Sequence, residues 1–170
     1  MKDVYLHLLI ILATVLVFFL ASWFFAYLCL RNDKMYGKIK ETNDSALDRA
    51  YHRFAVLYKS AILWTIAEYV FVIVPFVSNV IVIYLGNTNR ESINMDLILF
   101  HSIVSLSFIV FGYAISPQRQ KKCYRKAFRC LDNCINEYLL TRNVGNPDIT
   151  ILNKGIKEGE DFIDNSYDID

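Results

Sequence analysis

The sequence predicts an all-α integral membrane protein with three transmembrane helices and a cytoplasmic helical region. Two observations carry that prediction. The 170 residues are 55% hydrophobic at a net charge of only +1, with a mean hydropathy of +0.30, high for a soluble chain of this size. The apolar residues also fall into three long runs, at 4–30, 61–85 and 97–116, whose only acidic or basic residue, apart from the usually neutral His7 and His101, is Glu68. A helix needs about 20 apolar residues to cross the hydrocarbon core, and each run is long enough. None alternates as a barrel strand would.

The first run, VYLHLLIILATVLVFFLASWFFAYLCL, is too long for a signal-peptide core, and no small-residue cleavage site closes it. It is expected to stay as a membrane helix, residues 1–30. A polar linker is expected over 31–44. Around Asn43, Asp44 and Ser45 the sequence offers helix caps, with Asp48 three residues after Ser45 as a weak capping box. Leu47, Ala50, Tyr51, Phe54 and Tyr58 then recur at helical spacing. They predict a stalk that enters the membrane near Ser60 and continues into a hairpin formed by 61–85 and 97–116, the unit 45–116.

Pro117 predicts a bend or a helix start. Tyr124, Phe128, Leu131, Ile135 and Leu139 form an apolar stripe, which predicts an amphipathic helix to about Leu140. NVGNPD at 143–148 predicts a turn, and a last short helix is expected over 148–164 before an acidic end. The region 117–170 is expected to be cytoplasmic. The stripe Tyr124, Phe128, Leu131 and Ile135 is the candidate docking surface for a partner. The stalk and the two last helices could also cover one another.

Topology follows from Lys and Arg. The stretch 31–59 carries seven basic residues, 86–96 carries only Arg90, and 118–129 carries Arg119, Lys121, Lys122, Arg125, Lys126 and Arg129 with no acid. The amino terminus is therefore expected outside, and the carboxyl terminus inside. The six-residue basic patch is expected to face anionic membrane lipid. Its place beside the membrane argues against nucleic acid.

Within the apolar runs the polar residues are the candidates for function. Thr65, Glu68, Val72, Pro75 and Asn79 share one helix face, since spacings of three, four and seven return to it. His101 and Ser105 form a matching feature on the third run. An ionised carboxylate at the bilayer centre costs at least ~2.5 kcal/mol. Glu68 therefore has three open readings: hydrogen-bonded within the hairpin, snorkelling to the inner interface, or lining a polar pathway. Pro75 frees a backbone carbonyl that Asn79 or a neighbour could satisfy. The stripe is expected to be a helix–helix or pore-facing surface.

His7 and His101 read as isolated. Cys130 and Cys134 lack a nearby His, so no metal site is expected. No hydrolase, metalloprotease or phosphate-loop motif is present, so neither an enzyme nor a cofactor is expected.

The layout from LDRAYHRFAVLYKS through the hairpin to YRKAFRCLDNCINEYL and the final helix, roughly 47–164, resembles the SLATT membrane effectors of bacterial conflict and anti-phage systems. The first apolar run is an addition to that pattern. The resemblance implies a small inner-membrane effector that oligomerises and permeabilises the membrane on a signal from a sensor partner. A non-conducting anchor that docks a soluble partner is the alternative. A channel or transporter component is a third reading, with no internal repeat to favour it.

Overall fold

The computed structural model describes residues 2–31, 44–87 and 94–165, and these are helical, with no strand among the described residues. The helices among the described residues are α1 (Lys2–Arg31), α2 (Ser45–Asn87), α3 (Met95–Ile115), α4 (Pro117–Asn143) and α5 (Ile149–Asp164). Among the described residues three helical stretches are long and apolar enough to cross a membrane. The chain packs as two units: Met1–Ala21 with Thr65–Pro117, and Ser22–Trp64 with Gln118–Asp170. The linker expected at 31–44 lies almost wholly outside the described residues, as does the loop between α2 and α3.

The first unit has an inverted distribution of side chains. Leu9, Phe76, Ile83 and Leu106 are more than 60% exposed, whereas Ala67, Ser78, His101 and Ser105 are buried. Large apolar groups outside and small or polar groups inside suit a protein whose solvent is lipid. Gly112 on α3 permits a close approach to α2, because a Cβ there would lie 3.2 Å from the Phe71 side chain. Phe71 and Phe108 rings continue this seam at 5.8 Å. Asn94 caps α3 by accepting from the Leu97 N–H at 3.2 Å. Ser116 ends α3 in the left-handed region at φ 49°. Its N–H bonds the Gly112 carbonyl at 3.1 Å, and Pro117 begins α4 at the first-turn position that needs no N–H.

The second unit has an ordinary apolar core. Leu47, Ala50, Tyr51, Phe54 and Leu57 of α2 meet Ala127, Leu131, Ile135 and Tyr138 of α4, with Leu152 of α5. The spacing on each helix is that of an apolar stripe facing partners. Gly155 brings α5 against α4, where an added Cβ would lie 2.7 Å from the Cys134 Cβ.

Of the caps offered at Asn43, Asp44 and Ser45, α2 uses Asp44, and the weak Ser45–Asp48 box needs correction. Asp44 Oδ1 accepts from the N–H groups of Ala46 at 3.0 Å and Leu47 at 3.2 Å, which fixes the helix start one residue earlier. Likewise, the stripe Tyr124, Phe128, Leu131 and Ile135 is not an open docking surface. Leu131 and Ile135 are fully buried under the chain's own α2 and α5, and Tyr124 and Phe128 pack half-buried against the same core.

Candidate functional site

In the first unit two polar rings from different helices meet. His7 on α1 and His101 on α3 are hydrogen-bonded, Nδ1 to Nε2, at 3.0 Å. Their rings meet edge to face, with centroids 5.1 Å apart. Phe100 packs edge-on to His101 at 5.2 Å. His101 is 1% exposed. The reading of these histidines as isolated is therefore overturned: α1 lies against the hairpin, and the two rings find each other across helices.

Beside the pair is a cavity of about 270 Å³, lined by His7, Ile10, Ile11, Thr14 and Val15 of α1, by Ile73, Val74, Val77, Ser78 and Ile81 of α2, and by His101. Its polar lining besides the imidazoles is two hydroxyls. That of Thr14 donates back to the Ile10 carbonyl at 2.8 Å, a bond that satisfies it without leaving the helix.

The polar stripe divides. Pro75, His101 and Ser105 are buried in the unit, and Glu68 is half-buried with an interaction of its own. Asn79 is exposed on the outer side, and it is Ser78 that faces inward. One residue is a rotation of about 100°, so the buried face of α2 runs through Ala67, Val70 and Ser78 instead. Tyr113, near in sequence to Gly112, is 88% exposed and leaves the seam to Phe71. Ser78 was missed because an apolar run gives no signal for which side faces in.

In the second unit the cations of α4 lie opposite its buried residues. Gln120, Ala127, Leu131, Ile135 and Tyr138 are buried, while Lys122, Arg125, Lys126 and Arg129 are exposed. Arg119 and Lys121 are half-buried, and Arg119 Nη2 has no hydrogen-bond partner among the described residues.

Asp44 ties α2 to α4. Its Oδ2 accepts from the Tyr138 hydroxyl at 2.6 Å and lies 3.6 Å from Arg142 Nη1. Burial alone would raise its carboxyl pKa, but the Tyr138 hydroxyl, the two backbone N–H groups and Arg142 outweigh burial and hold it below the usual range. The Asp44 bond and then burial push the Tyr138 phenol up.

On the other side of α4, Cys130 donates to Glu158 Oε2 at 3.2 Å. Burial first, and then Glu158, push its thiol up to about 12. Burial also raises the Cys134 thiol. No group of three or more metal-ligating side chains is gathered among the described residues.

Comparison with family models, with curated proteins and with solved structures returned no significant match, so the functional reading rests on this chain's own residues.

Proposed function

We propose that this chain is a small membrane effector of the bacterial inner membrane. In this reading the first unit spans the bilayer with the amino terminus outside. The helical unit lies in the cytoplasm, with the basic face of α4 against anionic lipid. Copies associate and permeabilise the membrane when a sensor protein engages the helical unit, in a defence response of the kind its SLATT-like layout implies.

The observation that carries the reading is Asn79. Its amide lies exposed on the outer side of an apolar helix, eight residues from the end of α2 at Asn87, hence about 12 Å along the axis. At that depth the amide meets hydrocarbon in a lone chain, and an unpaired amide there costs several kcal/mol. A second copy offering Asn79 or another polar group removes the cost and sets a contact between copies.

The burial of Pro75, His101 and Ser105 within one chain favours the second reading, a non-conducting anchor whose polar groups serve packing. Membrane potential separates the two. Bacteria expressing the chain with its sensor partner, beside Asn79→Leu and Glu68→Gln at matched membrane levels, are expected to depolarise with the wild type. Asn79→Leu is expected to lose both depolarisation and cross-linked oligomers. Full polarisation in all three strains would leave the anchor reading standing.

A further inference from the structure

Two imidazoles that bond nitrogen to nitrogen obey a strict count of protons. Each neutral ring carries one N–H and one bare nitrogen. The 3.0 Å contact between His7 Nδ1 and His101 Nε2 needs a proton on one of the facing nitrogens and a lone pair on the other. The outer nitrogen of His101, Nδ1, is buried and has no hydrogen-bond partner among the described residues. A bare ring nitrogen is the better tenant of such a place, since orphaned buried N–H groups are rare. The neutral pair is thus His101 donating from Nε2 to His7 Nδ1, with the His7 proton on its own Nε2.

We propose that His7 and His101 form a proton-binding site inside the membrane unit, which accepts one proton with the contact intact and a second only by parting α1 from α3. The first added proton leaves both outer nitrogens protonated, whichever ring holds the charge. It therefore places an N–H at His101 Nδ1. The second puts two N–H groups head to head across 3.0 Å, an arrangement with no hydrogen bond and with like charges in contact.

The surroundings make the count matter. From α2 the pair's cavity is faced by Val77, Ser78 and Ile81, from α1 by Ile11 and Thr14, and Phe100 of α3 covers His101. None of these ionises. Besides the two imidazoles, no carboxylate or basic side chain lines the cavity among the described residues, and Asp96 in the first turn of α3 is exposed. The charge on the pair is thus not offset from nearby, so protons act on the α1–α3 contact itself. The cavity, at about 270 Å³, exceeds the ~10–15 Å³ that one water molecule needs, and the Ser78 and Thr14 hydroxyls give water a footing beside the rings. The site stands whether or not copies permeabilise a membrane.

The test is a pH titration of the full chain, labelled with ¹⁵N in its histidine rings, in lipid nanodiscs. The chain has three histidines, and exposed His52 on α2 is a built-in reference. The expected result is nitrogen–nitrogen coupling between His7 and His101 at neutral pH. It persists through the first proton and vanishes with the second. In His7→Gln, the His101 midpoint is expected to move by about one pH unit or more, the mark of coupled groups, with His52 unmoved. Absence of the coupling in the wild type overturns the proposal without any variant. So does a His101 midpoint that ignores His7→Gln.

Discussion

The Tyr138 hydroxyl donates a 2.6 Å hydrogen bond to the carboxylate oxygen of Asp44 that is not used to cap α2. One side chain thereby starts a helix and fastens it to another. Asp44→Ala removes the cap and strands the buried Tyr138 hydroxyl, and is expected to destabilise the helical unit by about 2–4 kcal/mol. Tyr138→Phe removes one bond and is expected to lose about 1 kcal/mol. Denaturant titration of the chain in detergent, followed by helical circular dichroism, checks both.

The same pair sets a pH dependence. The Asp44 pKa is lower in the folded chain than in the unfolded one. Its contribution is therefore complete above the ordinary carboxylate range and is lost as pH falls through and below about 4. Tyr138 is raised, so its contribution is complete below the ordinary phenol range and is lost as pH rises through and beyond about 10. Asp44→Asn is expected to flatten the acid limb of a stability–pH profile, while Tyr138→Phe flattens the alkaline limb.

Gly155 and Gly159 stand one helical turn apart and are expected to respond oppositely to alanine. A Cβ at Gly155 would lie 2.7 Å from the Cys134 Cβ, whereas at Gly159 its nearest neighbour is the Ala127 carbonyl oxygen at 3.6 Å. Gly155→Ala overpacks the α4–α5 seam and is expected to cost about 1–3 kcal/mol. Gly159→Ala fits, and is expected to gain up to about 1 kcal/mol from helix propensity. Thermal melts of the two variants give the comparison directly.

Cys130 is expected to resist alkylation. With its thiol pushed up to about 12, the thiolate is about one part in ten thousand at pH 8. Glu158→Gln removes the charge beside it and is expected to speed its reaction with iodoacetamide, read by mass spectrometry of the modified peptide. An unchanged rate would mean that burial and the neighbouring Cys134, not Glu158, govern the thiol.

The basic face of α4 is expected to retain anionic lipid. Lys122→Glu with Lys126→Glu leaves the buried side of the helix untouched. At about 1 kcal/mol per cation near a charged surface, it should lower the acidic phospholipid that copurifies with the chain, an effect that salt also produces. Equal lipid recovery from both forms would remove the face from the membrane.

Much of this architecture was legible because its signals are local. The runs 4–30, 61–85 and 97–116 became helices, as did the stripe of Tyr124, Phe128, Leu131 and Ile135, since length and period need no knowledge of neighbours. The site was less legible for a physical reason. In a helix apolar all round, nothing in the sequence fixes its rotation, and Ser78 faced inward where Asn79 had the better spacing. Nor does spacing say which helices are neighbours, so the meeting of His7 with His101 had no signature. Gly155 is by propensity alone a poor helix residue, yet the structure makes it a place where α5 touches α4.

The hydrogen bonds that close the two units have a bearing on how the chain is made. His7 is separated from His101, and Asp44 from Tyr138, by 94 residues each. A ribosome adding about 5–20 residues per second leaves each first partner waiting roughly 5–19 s for its second. During that wait Leu47, Ala50 and Phe54 have none of their α4 partners, although these residues end in a sealed core. The newborn chain therefore passes through an interval when its first helix is unanchored, overlapping one when its stalk is sticky, and anything that stalls synthesis between α3 and α4 prolongs the second.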